Sequence, residues 1–124
     1  MKRLLLWMLL AIPPLACAQY PNKPIRMIVP FAPGGASDFV GRILQPRMSE
    51  LLGQQIVVEP VVGAGGNIGS AAVAKAAPDG YTLLMATTGT HTINPGLYRN
   101  MPFDALRDFA PVTLIASVPN ILVV

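Results

Sequence analysis

Three short apolar segments in this sequence each run into a loop rich in glycine or hydroxyl residues, and this order constrains the fold most. Ile25–Val29 precedes FAPGGAS, residues 55–59 precede VVGAGGN, and residues 81–86 precede TTGTHT. Their length and apolar character are those of buried strands. Strands that alternate with helices pair in parallel, because each connection crosses back over the sheet. The sequence therefore predicts an α/β fold with a mainly parallel sheet flanked by helices.

The segments between these strands have the patterns of helices. Residues 38–52 carry apolar side chains at spacings of three and four, which indicates an amphipathic helix, and Pro46 in its interior should kink or split it. Residues 68–77 predict a shorter, alanine-rich helix. A short turn or helix is expected at residues 94–98, and two more strands are expected at the end of the chain, over 110–116 and 120–124.

Residues 1–18 have the layout of a secretory signal peptide. Lys2 and Arg3 precede an apolar run over residues 4–12, and Ala16 and Ala18 satisfy the small-residue rule for cleavage after Ala18. The apolar run is too short to span a bilayer, which needs roughly 20 apolar residues. The chain is therefore expected to be exported.

Cleavage after Ala18 would remove Cys17, the only cysteine. Acylation of Cys17, which would make a lipoprotein, is the less favoured alternative because Pro14 stands where such signals carry a branched apolar residue. Loss of Lys2 and Arg3 leaves seven basic and six acidic residues, so the formal charge falls from +3 to +1. The remaining basic residues are scattered singly, so no nucleic-acid partner is expected.

The three loops should line one crevice, since ligands of parallel sheets bind outside the carboxyl ends of the strands. Glycine lets the backbone approach a ligand closely, and amides at a helix start favour an anion. Each loop taken singly is equally explained by the need for a tight turn. Asp38 is interpreted as a helix cap that leaves the backbone amides to the ligand.

Enzymatic templates fit the sequence less well. Residues 63–69 lack the third glycine of a dinucleotide fingerprint, and no phosphate-binding P-loop is present. Ser37, Asp38 and His91 can be combined into a catalytic triad, so an exported serine hydrolase is the rival function. His91 is the only histidine, and neither a metal nor a cofactor is expected.

Three ordered stretches resemble the solute receptors of tripartite tricarboxylate transporters, the Bug-type receptors. They are YPNKPIRMIVPFAPGGASD, VVGAGGNIGSAAVAKAAPDGYTLLM and HTINPGLYRNMPFDALRDFAPVTLIASVPNILVV, and they span residues 20–124. The resemblance implies a periplasmic receptor, not an enzyme, with two α/β lobes of the type II binding-protein kind. These lobes close on a small organic carboxylate, which is delivered to the membrane permease subunits of the transporter.

The resemblance also implies which residues bind the ligand. Family members hold a ligand carboxylate with the loop after the first strand, partly through ordered water, and with the neighbouring glycine-rich loop. Together with the threonine-rich third loop, the expected ligand-binding residues are Phe31, Pro33, Gly34, Gly35, Ala36, Ser37, Ala64, Gly65, Gly66, Asn67, Thr87, Thr88, Thr90 and His91.

Family chains are considerably longer than this one. Residues 19–109 are therefore expected to form the N-terminal part of lobe 1, and residues 110–124 the first crossover towards lobe 2. The apolar ending of the chain is unusual for a native terminus and favours a fragment or a truncated reading frame. A non-functional remnant of a receptor is accordingly the second alternative to a working one.

Overall fold

The computed structural model describes residues 20–117. The predicted signal peptide and the strand predicted over 120–124 lie outside the described residues. No helix in the described range is long and apolar enough to cross a bilayer.

A three-stranded parallel sheet forms the centre of the fold. Its strands are β1 (Ile25–Val29), β2 (Ile56–Pro60) and β3 (Thr82–Leu84), in the order β2-β1-β3. Ile25 of β1 stands opposite Ile56 of β2, and both pairings of β1 are parallel. The predicted α/β class with a parallel sheet is therefore confirmed.

Two helices cover this sheet. Helix α1 (Ala36–Leu52) begins two residues before the predicted start, and Pro46 lies inside it without splitting it. It ends at Gly53, whose left-handed backbone (φ 65°) lets its N–H bond to Glu50 O. Helix α2 (Asn67–Ala74) follows a short 3-10 turn and contacts β1 and β3. It stops three residues before the predicted end.

The core lies between the sheet and α1. Alternate side chains of β1 form its centre together with Ile56 and Met85, and Val40 and Met48 of α1 pack against them. Burial of such side chains stabilises the fold by roughly 1.5–3 kcal/mol each. The alternation that places them on one face of β1 is what the two-residue period of a strand requires.

β3 is shorter than the predicted strand, although its backbone pairing continues at both ends. Arg26 N–H bonds to Tyr81 O, and Met85 N–H bonds to Ile28 O. The chain then forms a π-helical turn at Gly89–Ile93 that runs directly into α3 (Asn94–Leu97).

The strand predicted over residues 110–116 is wrong. The structure has irregular backbone there, and Val112 and Leu114 are exposed. A β-branched, apolar segment becomes a strand only when another strand satisfies its backbone groups. In the described part of the chain, no strand pairs with this segment.

The lead-in to β1 is tied to the turn before β3, at the amino-terminal edge of the sheet. Tyr20 Oη donates to Gly80 O at 2.8 Å, and Asn22 exchanges two hydrogen bonds with Tyr81 Oη. Lys23 Nζ lies 4.2 Å from the centre of the Tyr81 ring, a cation–π contact. These contacts hold the lead-in at the end of the sheet opposite the three predicted ligand loops.

We predict that residues 19–124 expressed alone will aggregate and show no cooperative thermal transition. Large apolar side chains such as Phe39 and Leu51 are 64% and 68% exposed, and β2 and β3 are the outer strands of the described sheet. Open strand edges and apolar patches both promote association. Light scattering and circular dichroism melts over a concentration series measure this, and a sharp, concentration-independent melt would contradict it.

Candidate functional site

The three loops that follow the strands meet at one point. We call residues 30–35 loop 1, residues 61–66 loop 2 and residues 85–91 loop 3. Gly66 of loop 2 is buried where they meet: a Cβ built there would lie 2.6 Å from Thr90 Cγ2 and 3.3 Å from Phe31 Cζ. The convergence that the parallel order predicts is therefore present, and only glycine fits at its centre.

Loop 2 holds an unusual backbone conformation. Gly63, Ala64, Gly65 and Gly66 have φ values of 133°, 45°, 61° and 92°. Residues other than glycine rarely have a positive φ. Ala64 is the one non-glycine residue with positive φ in the described range. Such a run of residues needs contacts from outside the loop to hold it.

The same loop leaves two of its amide groups without an acceptor in the described part of the chain. Gly63 O accepts from Gly66 N–H at 2.9 Å, and Ala64 O accepts from Asn67 N–H. In a trans peptide the N–H points opposite to the C=O. The N–H groups of Ala64 and Gly65 therefore point away from these internal bonds, both residues are exposed, and neither N–H has an acceptor among residues 20–117.

Loop 1 uses its glycine amides internally. Gly35 N–H bonds to Ala32 O at 3.3 Å, and Gly34 N–H bonds to Asp38 Oδ2 at 2.9 Å. In contrast, the amides of Ala36 and Ser37 in the first turn of α1 have no acceptor within the described residues. The free donors at this place are thus the first amides of α1 and not those of the two glycines in loop 1.

Asp38 is buried beside these amides, but its charge is compensated within the protein. It is 3% exposed, and its carboxylate accepts from Arg42 Nε at 2.9 and 3.0 Å as well as from Gly34. The Arg42 hydrogen bonds, followed by that of Gly34, lower the pKa of Asp38. Gly35, not Asp38, occupies the N-cap position, and Asp38 reaches back from inside the first turn to the preceding loop.

Loop 3 is held by its own threonines. Thr87 N–H donates to Thr90 Oγ1 at 3.1 Å, and Thr90 Oγ1 donates to Thr87 O at 3.0 Å. Thr90 is fully buried, Thr87 is half-buried and Thr88 is exposed. Of the three threonines predicted to bind ligand, Thr90 supports the loop and Thr88 lies open at its surface.

His91 packs into a small aromatic cluster that the sequence reasoning did not anticipate. Its ring centre lies 4.7 Å from that of Phe109 and 5.9 Å from that of Phe103, and its Nδ1 lies 2.9 Å from Thr90 Oγ1. Partial burial lowers the pKa of His91, which favours the neutral imidazole at physiological pH. His91 therefore adds an aromatic surface beside loop 3 without adding positive charge.

The contacts of His91 and Asp38 do not form a catalytic triad. The hydrogen bonds of Asp38 go to Gly34 and Arg42, and Nδ1 of His91 faces Thr90. A triad requires the carboxylate to orient the histidine and the histidine to reach the serine. Residues 20–117 also contain no cluster of three or more acidic, histidine or cysteine side chains able to hold a metal.

Asn94 is a further residue of the site that sequence reasoning missed. It is 6% exposed, and its Nδ2 donates to Gly65 O at 3.0 Å and to Asn67 Oδ1 at 2.7 Å. A buried asparagine needs partners of this kind. In the sequence, an asparagine directly before Pro95 indicates the start of a helix. This pattern does not indicate a contact with loop 2.

An open groove of about 470 Å³ runs along the outer face of α2. Of the predicted ligand-binding residues, Ala64 and Asn67 line it, and its other walls are the remainder of α2 and the segment over 98–102. No residue of loop 1 or loop 3 lines the groove. It therefore starts at loop 2 and lies beside the point where the three loops meet.

Comparisons with known proteins agree with this architecture. Residues 40–124 match the model of the tripartite tricarboxylate transporter family receptor. BugT of Bordetella pertussis is 42% identical over 111 residues, which is 89% of this chain and 34% of BugT. A solved periplasmic transporter is 52% identical, with a TM-score of 0.75 over 77% of this chain and 32% of that one.

MatC from Rhodopseudomonas palustris, solved with bound malate, is 40% identical, with a TM-score of 0.75 over 77% of this chain and 33% of MatC. This chain spans about a third of the length of the curated relatives it matches. The family consists of receptors. Because the family model matches well over half of the residues and the fold agrees with solved members, this chain belongs to the tripartite tricarboxylate transporter receptor family.

Proposed function

We propose that this chain supplies one wall of a carboxylate-binding cleft in a periplasmic solute receptor. The observation that carries the proposal is the meeting of loops 1, 2 and 3 at Gly66, with the amides of the exposed Ala64 and Gly65 beside it. The family membership and the malate bound to MatC support the ligand class. A small organic acid, with one carboxylate against these loops, is the proposed ligand.

Backbone amides suit this task because they carry partial positive charge without a mobile side chain. The amides of Ala36 and Ser37 lie at the start of a 17-residue helix, where the helix dipole adds to their attraction for an anion. The nearby carboxylate of Asp38 would repel such a ligand, but Arg42 neutralises it. Bridging waters can complete the contacts and allow related acids to bind.

In the proposed cycle, closure of a second lobe over the ligand presents a closed receptor to the permease subunits of the transporter. Export to the periplasm, with a signal peptide cleaved after Ala18, is part of the same proposal. Its support is the basic, apolar and small-residue order of the first 18 residues. Neither a cofactor nor a metal takes part.

We predict that Gly66→Ala weakens malate binding in a hybrid receptor. The hybrid receptor is MatC in which the matching third is replaced by residues 20–117 of this chain. A methyl group at Gly66 would contact Thr90 Cγ2 and would have to adopt φ +92°. In the free variant we expect loop 2 to relax, so malate binding must restore strain of about 1–3 kcal/mol. This corresponds to a roughly fivefold to 150-fold higher Kd, measured by calorimetry.

Gly96→Ala is the matched control, since a Cβ there meets nothing within 4 Å. It should bind malate like the unsubstituted hybrid. Equal affinity of the Gly66→Ala and Gly96→Ala hybrids would contradict the proposed role of the loop junction. Absence of malate binding in the unsubstituted hybrid, alongside binding by MatC itself, would contradict the proposed function.

Ser37→Ala separates the receptor from the rival serine hydrolase. A receptor that uses the Ser37 amide keeps that amide in the variant, so we expect malate affinity to stay within about tenfold of the parent. A nucleophile would lose nearly all turnover. Calorimetry with malate and an ester-hydrolysis assay on the same samples measure both, and hydrolysis that disappears with Ser37 would overturn the receptor proposal.

We expect Asp38→Asn to lower the melting temperature of the hybrid receptor at neutral pH. The pKa of Asp38 is lowered in the fold, so its carboxylate stabilises the fold above the unfolded-state pKa. That stabilisation is lost as the pH falls through the folded-state pKa. The melting difference between variant and parent should therefore narrow below about pH 4.

Glu50→Gln on the same helix is the control. Glu50 forms an exposed ion pair with Arg47 at the surface, and exposed pairs contribute little. Differential scanning fluorimetry across pH follows both variants. A melting difference for Asp38→Asn that does not change with pH would show that the charge of Asp38 plays no part.

A further inference from the structure

We propose that Asn94 is a positioning residue that holds loop 2 in the shape that binds the ligand. This inference rests on the proposed function, since it concerns the same cleft. It assigns a role to a residue on α3 that lies outside all three loops.

Loop 2 cannot be expected to hold its conformation unaided. Four consecutive residues have positive φ, and one of them, Ala64, carries a side chain. Internal bonds fix only part of the loop: Gly66 N–H to Gly63 O, and Asn67 N–H to Ala64 O. The carbonyl of Gly65 receives its hydrogen bond from Asn94.

Asn94 is built for this contact. Its side-chain nitrogen has two hydrogens, one directed to Gly65 O at 3.0 Å and the other to Asn67 Oδ1 at 2.7 Å. Both partners are acceptors, so only a donor group satisfies them. Asn67 is buried and is the first residue of α2. Asn94 therefore hydrogen-bonds both to the glycine-rich loop 2 and to the start of α2.

The position of Asn94 also links loop 3 to loop 2. Asn94 follows the π-helical turn of Gly89–Ile93 without a break, and that turn includes Thr90, whose methyl group packs towards Gly66. The Gly65 carbonyl is adjacent along the chain to the amides of Ala64 and Gly65. The peptide that joins Gly65 to Gly66 also carries the Gly66 N–H, which bonds to Gly63 O, and Gly63 O lies on the same peptide as the Ala64 N–H. Rotation of the Gly65–Gly66 peptide on loss of Asn94 would break this bond and let the Ala64 N–H turn, so the direction of this donor depends on Asn94.

The test compares Asn94→Asp and Asn94→Ala in the hybrid receptor. Asn94→Asp keeps the shape but places an acceptor against two acceptors, and Asn94→Ala removes the donor without adding repulsion. At neutral pH we expect the malate Kd of Asn94→Ala to rise by about tenfold, the scale of an unmet buried hydrogen bond. The effect of Asn94→Asp should be the larger of the two.

The pH dependence of the malate Kd distinguishes a positioning role of the Asn94 donor from a general contribution of Asn94 to packing. On lowering the pH from about 8 to about 5, the introduced carboxyl takes up a proton more readily than an ordinary carboxyl because two oxygens face it. It can then donate to Gly65 O, so the ratio of the Asn94→Asp Kd to the parent Kd should fall towards one. The Asn94→Ala ratio should stay constant.

Taking ratios to the parent at each pH cancels the titration of malate and of His91, which lies three residues before Asn94. The same ratio cancels any contribution from Tyr98, the residue after α3, whose hydroxyl lies near Gly65. Gln55→Glu makes the same amide-to-acid change at an exposed position just before β2, at the far end of the sheet. Its Kd should match the parent.

Three results would overturn the inference. Parent-like affinity in both Asn94 variants would show that loop 2 does not need the donor. Equal losses that do not respond to pH, or circular dichroism that shows both variants unfolded at every pH, would assign Asn94 a purely structural role. Absence of malate binding in the unsubstituted hybrid would instead contradict the proposed function, and the inference would fall with it.

Discussion

The parallel pairing of β1 with β2 on one side and β3 on the other is the constraint from which the candidate site follows. Parallel strands leave the sheet at one edge, so the chain must make its three successive turns there. Had either pairing been antiparallel, one loop would lie at the opposite end. The side chain of Thr90 and the ring of Phe31 could then not meet at Gly66.

Much of this fold could be predicted from the sequence. The apolar segment Ile25–Val29 was placed correctly, and α1 and α2 within three residues at each end, because hydrophobic periodicity and glycine or proline boundaries are local signals. The strand expected over 110–116 failed for a non-local reason. Its apolar residues suit a strand, but pairing depends on a partner that sequence patterns do not reveal.

The site was predictable at the level of loops but not of atoms. The expected ligand-binding residues include Gly34 and Gly35 of loop 1, whereas Asp38 and Ala32 occupy the amides of these two glycines. Likewise, the importance of Asn94 depends on a contact across 29 residues of sequence. Hydrogen-bond partners that are distant in the chain leave no periodic trace, and this limits what composition and spacing can indicate.

The contacts between Tyr20–Lys23 and the turn at Asp79–Tyr81 determine where a label can be attached without covering the loops. These contacts hold the segment before β1 at the end of the sheet opposite loops 1, 2 and 3. A tether, dye or affinity handle joined ahead of Tyr20 would therefore leave from the amino-terminal edge of the sheet. Immobilisation through that point would keep loops 1, 2 and 3 facing solution.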